Sequence, residues 1–316
     1  LTDMSLRGGL APCTTTCRMK RTQKGVIGEM NTKQEESVWE TKGYYDAARE
    51  HILSHLYSNS ELRALRSYVR TASHVLDCGC GDGTLLETFW RKDAEFWGVD
   101  ISKKAIALGK NRLKGKKNIH FQRGDIGVIE FPDAAFDLVY AHDVLEHLGN
   151  PEKTILEMIR VTRKGGILCF ISPNYGSPLY PSPSSPHEGR KLLVRALGQV
   201  MKSFYYLVVK PGSLRWLRVE PRSMRIQDWE PDWDTMVEPY IQTLIAFLQA
   251  NNVQVVEYTS IPDVPMEVLF PKSSRKLNVY QRIEACGRKF AYTLGKMGTS
   301  PFTYFGSSLF VIGEKQ

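Results

Sequence analysis

Short apolar runs alternate with amphipathic stretches between residues 74 and 172, and this alternation predicts β-strands and α-helices in turn. Strands that alternate with helices through short connections indicate a mostly parallel sheet with helices on both faces. The predicted strands are His74–Gly79, Glu95–Asp100, Ile119–Arg123, Phe136–Ala141 and Gly166–Ser172. The predicted helices are Thr84–Arg91, Lys103–Leu113 and Pro151–Thr162.

Two helices are predicted before the first strand, and we expect them to form an N-terminal lid. Tyr45, Ala48, Ile52 and Leu56 share one helical face, and Ser60–Val69 reads as a second helix. Residues 1–38 show no periodicity and are rich in Thr, Lys, Arg and Gly, which predicts a flexible tail. Residues 1–29 are either part of a native tail or a translated leader that precedes a start at Met30.

The strand–helix alternation stops at Pro173. Residues 173–186 contain five prolines, which is typical of a loop. The alternation resumes with a helix and two strands, at Met236–Asn251, Val253–Tyr258 and Ser308–Ile312. We therefore expect residues 39–316 to form one doubly wound α/β domain with seven strands, and insertions at 173–235 and 260–305. Within them, residues 190–209 read as a basic amphipathic helix, and residues 211–234 and 262–303 as irregular chain.

A glycine-rich loop follows the first predicted strand. It reads Asp77-Cys78-Gly79-Cys80-Gly81-Asp82-Gly83, and Asp100 ends the second strand 19 residues beyond Gly81. Glycines allow a tight turn and a close approach of backbone to ligand, and a carboxylate at the end of the second strand can accept ribose hydroxyls. Dinucleotide sites have the spacing G-x-G-x-x-G, whereas this loop has G-x-G-x-G. Asp82 would repel a phosphate, so the loop favours a nucleoside with a cationic group.

These motifs resemble those of the class I S-adenosylmethionine-dependent methyltransferases. The resemblance continues in Gly124-Asp125-Ile126, in residues 136–139 and 144–148, and in Arg160–Gly166. It covers residues 39–172 and, more loosely, 236–258 and 307–315. The branch it resembles most includes the ubiquinone-biosynthesis O-methyltransferases and bacterial methyltransferases of sugars and natural products. The resemblance implies a Rossmann-like sheet whose last strand is antiparallel, with S-adenosylmethionine as cofactor.

The resemblance also implies which residues bind the cofactor. Asp77 and the glycine loop would hold the methionine end, Asp100 and Ile101 the ribose and adenine, and Asp125 and Ile126 the adenine. Tyr44 or Tyr45 would close over the cofactor, although packing within the helix explains these tyrosines equally well. The complete set is Tyr44, Tyr45, Asp77, Gly79, Cys80, Gly81, Gly83, Asp100, Ile101, Asp125, Ile126 and Ala141.

Three residues after the fourth strand, Asp143, Glu146 and His147, are spaced to share one face of a helical turn. In the ubiquinone-type enzymes the matching residues are implicated in binding a divalent cation, with Glu in place of Asp143. The resemblance therefore implies a site for an ion such as Mg²⁺. Alternatively, His142 or His147 is a general base. A third possibility is that His147 only bonds to local backbone.

Composition narrows the class of protein. Apolar residues make up 42% and charged residues 24%, so the chain can form a substantial core and is not disordered as a whole. No apolar run approaches 18 residues, which excludes an integral membrane protein. Six cysteines in a long chain without a secretory signal predict a reducing, cytoplasmic location.

The net charge of +8 is concentrated in a few segments. Residues 188–225 carry nine Lys/Arg and two Asp/Glu, and residues 272–296 carry seven and one. We expect the insertions to form a basic substrate cap that attracts an anionic partner, or else a solvated basic face. The helix at 190–209 would cover the active site, lie on a membrane surface, or pack its apolar face on the sheet.

The sequence therefore predicts methyl transfer from S-adenosylmethionine to a small-molecule acceptor, with a hydroxyl as the favoured acceptor group. The acceptor would be a sugar, a lipid-linked compound or a natural product, and peripheral membrane contact is consistent with it. One alternative is a nucleic-acid methyltransferase, whose binding would depend steeply on salt, although no RNA-binding module is visible. The other is a non-catalytic cofactor-binding or membrane-tethering protein.

Overall fold

The computed structural model describes most of the domain that the sequence predicts. The described residues are 39–40, 42–56, 59–184, 194–195, 197–201, 205, 208–209, 212–214, 216–222, 232–263 and 279–316. The predicted tail at 1–38 and the alternative start at Met30 lie outside this part of the chain.

The described chain begins with two helices, α1 (Lys42–His55) and α2 (Ser60–Val69). Asn59 begins α2, because its side-chain oxygen accepts the backbone N–H groups of Glu61 and Leu62 at 2.8 and 3.0 Å. Leu62 and Leu65 are buried on the inner face of α2, as the helical period predicts.

Strands and helices then alternate through β5. They are β1 (His74–Cys78), α3 (Thr84–Phe89), β2 (Glu95–Asp100), α4 (Lys103–Arg112), β3 (Ile119–Arg123), β4 (Phe136–His142), α5 (Pro151–Val161) and β5 (Thr162–Pro173). The remaining elements are β6 (Leu217–Arg218), β7 (Val237–Glu238), α6 (Ile241–Ala250), β8 (Val253–Thr259), α7 (Val279–Lys296) and β9 (Ser308–Lys315). Short 3₁₀ turns occur at Leu145–His147 and Phe302–Tyr304.

Seven of the strands form one sheet in the order β3-β2-β1-β4-β5-β9-β8. The first five are parallel to one another, and β9 runs antiparallel between β5 and β8. The predicted doubly wound, Rossmann-like α/β fold with an antiparallel last strand is therefore confirmed. The order places the ends of β1, β2, β3 and β4 side by side at one edge of the sheet, where ligands bind in folds of this kind.

The apolar core has one layer on each face of the sheet. Neighbouring residues of a strand point to opposite faces, so Val75 packs in the layer with α2, whereas Leu76 packs in the layer with α5 and α6. Both residues are fully buried. This burial on both faces explains why the central strands are continuously apolar.

Several predicted boundaries differ from the structure. The helix predicted from Met236 begins at Ile241, because the chain just before it pairs with β6 as β7. Strand β5 starts at Thr162, directly after α5, and a register shift opposite Phe136 and Leu138 accommodates the extra residues. The prediction of irregular chain over 262–303 is wrong for residues 279–296. These form helix α7, which buries Ala291 and Tyr292 and exposes Arg282, Lys289 and Lys296, whereas Arg288 is half-buried.

The described part of the basic segment at 190–209 exposes its apolar side chains. Val194 and Leu197 are each 70% exposed and Met201 68% exposed, whereas Arg195 is only 6% exposed. The alternative in which the apolar face of this helix packs on the sheet is therefore wrong for the described residues. Among the described residues, no helix is both long enough and apolar enough to cross a bilayer.

Candidate functional site

The candidate site begins at the glycine loop, which is joined to the neighbouring strand ends by backbone hydrogen bonds. The N–H groups of Gly79 and Cys80 donate to the carbonyl of Val99 at 2.8 and 3.1 Å, and Gly124 N–H donates to the carbonyl of Asp100 at 3.0 Å. The loops after β1, β2 and β3 therefore form one continuous rim, as predicted.

Two of the loop glycines cannot be replaced without disturbing their neighbours. Gly79 has φ +78°, and a Cβ there would lie 2.5 Å from Cγ2 of Val144. Gly83 has φ +76°, and a Cβ there would lie 2.5 Å from the Phe121 ring. The first contact matters for function, because Val144 belongs to the turn after β4 and packs directly on the glycine loop.

Two carboxyl groups flank this loop, one buried at Asp77 and one half-buried at Asp100. Asp100 accepts the backbone N–H groups of Gly81 and Ser102, both at 2.8 Å, and burial raises its pKa. Asp77 accepts the Tyr140 hydroxyl at 2.8 Å, and burial raises the pKa of Asp77 to about 8 although this hydrogen bond lowers it. Carboxyl groups held on a positive-φ glycine loop fit the hydroxyls and the cationic amine of a nucleoside such as S-adenosylmethionine.

Residues 39–45 cover the loop from the N-terminal side. A Cβ on Gly81 would lie 3.6 Å from the Tyr45 ring, and the Tyr44 ring meets Tyr45 edge-on at 5.1 Å between centroids. Burial raises the pKa of Tyr45, and the charge of Asp100 raises it further. This segment is anchored at α4, where Glu40 accepts the N–H of Lys103 at 2.7 Å.

The remaining predicted cofactor residues lie along the same rim in different environments. Cys80 is buried within the glycine loop, and Ala141 is buried near the end of β4. Ile126 is buried in the core. Ile101 is 54% exposed at the end of β2. Asp125 is exposed, and one of its carboxylate oxygens accepts Gly127 N–H at 2.7 Å.

Asp82 of the glycine loop is not an unpaired acid. Its carboxylate forms an ion pair with Arg112 and accepts the Thr84 hydroxyl at 2.6 Å. The sequence argument that Asp82 repels phosphate is therefore weakened, because Arg112 offsets the charge.

Beyond the glycine loop lies a cluster of acidic groups around His147. Its Nε2 is 3.8 Å from Oε1 of Glu146, and its Nδ1 is 3.6 Å from Oδ2 of Asp234. Glu146, His147 and Asp232 each offer a ligand atom, and these atoms lie within 4.8 Å of one another. Tyr175 donates its hydroxyl hydrogen to Asp232, and the Trp39 indole N–H donates to Asp234 at 3.1 Å.

Burial shapes the chemistry of this acidic cluster. Glu146 and Asp234 are fully buried, and Oε1 of Glu146 and Oδ1 of Asp234 have no hydrogen-bond partner within the described chain. Burial raises the pKa of Glu146. Burial alone would lower the pKa of His147, but the charges of Asp234 and Glu146 raise it. A buried acceptor without a partner costs about 1–3 kcal/mol, so these oxygens are suited to meet a ligand.

The structure brings Glu146 and His147 together, as predicted, but replaces Asp143 with Asp232. Asp143 adopts φ +51°, and its carboxylate is 50% exposed and 3.4 Å from the His142 imidazole. His142 belongs to β4, where its charge acts on Glu61 of α2. Of the two predicted bases, His147 lies in the acidic cluster and His142 beside it. The possibility that His147 only bonds to local backbone is not what the structure shows, because its Nδ1 lies 3.4 Å from the carbonyl of Asp234, which is 87 residues away.

Sequence reasoning missed four members of this cluster: Trp39, Tyr175, Asp232 and Asp234. One signal was available. Residues 228–234 read D-W-E-P-D-W-D, a run of acids and aromatics at the end of a segment that is otherwise strongly basic. Such a local reversal of charge indicates a specific environment within the fold.

Comparison with known proteins finds methyltransferases among the chains that this one is similar to. Residues 70–209 match a family model described as a methyltransferase domain. An uncharacterised methyltransferase of Schizosaccharomyces pombe is 37% identical over 112 residues, which are 32% of this chain and 40% of that protein. A ubiquinone biosynthesis O-methyltransferase of Coxiella burnetii is 32% identical over 130 residues, 40% of this chain and 56% of that one.

A third similar protein is an ajmaline N-methyltransferase of Rauvolfia serpentina. It is 32% identical over 165 residues, which are 51% of this chain and 56% of that protein. The chain thus spans about half the length of the curated relatives it matches, and the matched proteins include both an oxygen and a nitrogen methyltransferase.

Proposed function

We propose that this chain is a class I S-adenosylmethionine-dependent methyltransferase, because residues 70–209 match a family model described as a methyltransferase domain. It would transfer a methyl group from S-adenosylmethionine to a small-molecule acceptor bound at the acidic cluster. The observation that carries the proposal is the contact of Val144 with Gly79. This contact puts the turn that holds Glu146 and His147 directly against the glycine loop. A methyl donor in the loop and an acceptor in the cluster would then be neighbours.

The residues around the glycine loop would bind the cofactor. Asp77 and the loop backbone fit its amino-acid end, and Asp100 fits the ribose hydroxyls. Asp125, Ile126 and Ile101 would surround the adenine, and Tyr45 would cover the loop side. The protein supplies mostly alignment and exclusion of water, because displacement at the sulfonium methyl group needs the nucleophile, carbon and sulfur in line.

The favoured acceptor group is a hydroxyl, which the similarity to the O-methyltransferase supports. The proton of that hydroxyl group could be removed in two ways that fit the acidic cluster. Glu146 and His147 can take the proton directly, since Oε1 of Glu146 has no other partner. Alternatively, Glu146, His147 and Asp232 fit a divalent cation such as Mg²⁺, which would lower the pKa of the hydroxyl.

Calorimetric titration with S-adenosylmethionine tests the cofactor proposal, and transfer of a labelled methyl group to a panel of alcohols and amines tests the activity. We expect saturable binding of S-adenosylmethionine and no measurable binding of NAD. Turnover in excess chelator would select the direct role of Glu146 and His147, whereas loss of turnover that Mg²⁺ restores would select the metal. NAD binding in the absence of S-adenosylmethionine binding would overturn the proposal.

We also propose that the exposed apolar stripe contacts an anionic membrane surface. The stripe consists of residues 194, 197, 201, 205 and 208, which are spaced three or four apart and are 44–70% exposed. The same segment of sequence contains Arg190, Lys191, Lys202 and Lys210. An outward apolar helix face in a basic segment is the pattern of an interfacial helix and would admit a lipid-linked acceptor.

Vesicle binding tests the membrane contact. Vesicles of phosphatidylcholine with phosphatidylserine should retain the protein at low salt and release it as salt rises. Leu197→Glu should reduce retention, whereas Val256→Glu should not, because Val256 is an exposed residue of β8 outside the stripe. Equal retention of both variants would exclude the stripe as the contact surface.

A further inference from the structure

The acidic cluster carries more negative charge than its own residues balance. Glu146, Asp232 and Asp234 contribute three carboxyl groups, and Asp143, half-exposed beside the cluster, adds a fourth whose charge acts on Glu146 and Asp232. In the described part of the chain, the only ion-pair partners of these groups are His142 and His147. No lysine or arginine of the described residues pairs with any of the four, although the chain as a whole is basic. Among the described residues, the cluster therefore has no cationic partner other than its two histidines.

Two oxygens show where a cation would bind. Oε1 of Glu146 and Oδ1 of Asp234 belong to fully buried side chains and lack hydrogen-bond partners among the described residues. The second oxygen of each carboxyl group has a partner: Ser172 donates to Glu146 at 2.8 Å, and Trp39 donates to Asp234 at 3.1 Å. Each carboxyl group is thus fixed through one oxygen and has the other available to a ligand.

Aromatic rings line the same cluster. The Trp39 ring lies edge-on to His147 at 6.1 Å between centroids, and the Tyr175 hydroxyl bonds to Asp232. Tyr44 is close enough to Asp234 and Glu146 for both charges to act on its phenol. Carboxylates together with aromatic rings are the groups that recognise alkylammonium ions. A hard metal ion instead requires a full shell of oxygen ligands and water.

We propose that the cluster binds a cationic amino group of the methyl acceptor, so that the acceptor belongs to the class of small organic amines or amino alcohols. Glu146 and Asp232, whose ligand oxygens lie within 4.8 Å of each other, hold the ammonium group, and Asp234 adds charge from the Nδ1 side of His147. Trp39, Tyr44 and Tyr175 meet its alkyl carbons. This inference rests on the proposed methyl transfer. It narrows the acceptor to cations. The methyl group goes either to a neighbouring hydroxyl or to the nitrogen after that nitrogen has given a proton to Glu146 or His147 and so has a free electron pair.

Comparing the affinity for choline with that for its neutral isostere, 3,3-dimethylbutan-1-ol, shows whether the cluster recognises the charge or only the shape of the ligand. Choline has a quaternary nitrogen, so it probes the ammonium site without testing nitrogen methylation. Calorimetry or ligand-observed NMR with the full chain, saturated with S-adenosylhomocysteine, should show choline binding at least tenfold tighter than the isostere. Glu146→Gln and Asp234→Asn should each weaken choline binding about tenfold. The matched controls Glu152→Gln and Asp133→Asn, at exposed sites, should leave it unchanged.

Folding of the variants is checked by thermal unfolding. Because each substitution keeps the shape of the side chain and an oxygen that can accept the hydrogen bond from Ser172 or Trp39, Glu146→Gln and Asp234→Asn should still unfold in one cooperative transition. Choline binding is compared only for variants that do so.

Equal affinity for choline and its isostere would overturn the proposal, and so would choline binding that the two substitutions leave unchanged. Binding of Mg²⁺ that depends on Glu146, without binding of choline, would make the cluster a metal site instead. Failure of the methyl-transfer proposal has a separate signature, because S-adenosylmethionine would then not bind whatever the choline result.

Discussion

The raised pKa of Asp77 can be tested through the stability of the protein alone, without a methyl acceptor. Its carboxyl group is buried and bonded to Tyr140, and burial raises its pKa to about 8 from an ordinary value of 3.8. At pH 7 the folded protein therefore holds a proton on Asp77, whereas the unfolded chain has released it. A folded-state pKa that is raised in this way makes stability fall as pH rises between about 4 and 8.

The size of the effect follows from the shift. One pKa unit corresponds to about 1.4 kcal/mol, so the free energy of unfolding should fall by up to about 1.4 kcal/mol per pH unit across this window. By pH 7 the total loss reaches about 4 kcal/mol as an upper value. Asp77→Asn removes the titrating group and retains an acceptor for the Tyr140 hydroxyl. The variant should therefore be more stable than the unchanged protein at pH 7, and the two should converge near pH 4.

Urea denaturation of both proteins at pH 4, 5, 6, 7 and 8, without cofactor, measures this difference. The exposed Asp93→Asn variant is the control, and it should follow the unchanged protein at every pH. Asp77→Asn should also bind S-adenosylmethionine more weakly, because it cannot ionise beside the cationic amine. Parallel pH profiles for the unchanged protein and Asp77→Asn would refute the reasoning, since Asp77 would then be ionised in the folded state.

Three further substitutions probe the loop and the insertion. Asp100→Ala should weaken S-adenosylmethionine binding by about 2 kcal/mol or more in calorimetry, because it removes charge-assisted hydrogen bonds from a buried ligand; unchanged affinity in a folded variant would contradict the ribose role. Gly79→Ala should destabilise the fold by about 1–3 kcal/mol in urea denaturation, since its φ is +78° and its Cβ would meet Val144, and a neutral result would contradict that close contact. Arg195→Met should cost about 3–5 kcal/mol, because it leaves Glu238 buried without its ion pair, and an unchanged denaturation midpoint would show that the pair does not anchor the insertion.

The sheet and the position of the glycine loop could be predicted from the sequence because their signals are local. Each strand is a mostly apolar run, and Asp77 to Gly83 stand between a strand and a helix, with Asp100 at the end of the next strand. The roles of these residues in binding a cofactor stay a prediction. The acidic cluster could be predicted only in part, because its contacts are distant along the chain. His147 and Asp234 are 87 residues apart, and Trp39 and Asp234 are 195 apart. No pattern within a window of sequence reports such pairs.

Helix α7 was missed for a different reason. Its basic residues and its place after a proline-containing stretch suggested irregular chain, whereas burial of Ala291 and Tyr292 stabilises it as a helix. Most helical stability in proteins comes from packing of this kind rather than from the propensity of individual residues. Asp232, rather than the predicted Asp143, lies in the cluster. The reason is again the folded conformation, because Asp143 adopts a left-handed backbone conformation that leaves its carboxylate half-exposed.

Residues 39–45 touch both halves of the site, and this predicts a kinetic order. Tyr45 packs on the glycine loop, Trp39 bonds to Asp234, and Ser102 at the start of α4 donates its hydroxyl hydrogen to the Trp39 carbonyl at 2.7 Å. One short segment would therefore cover both a methyl donor at the glycine loop and an acceptor at the acidic cluster, and the donor would lie beneath Tyr45, which is buried. Steady-state kinetics should show an ordered sequential mechanism in which S-adenosylmethionine binds first and S-adenosylhomocysteine leaves last. S-adenosylhomocysteine should accordingly inhibit competitively against S-adenosylmethionine and in a mixed manner against the acceptor.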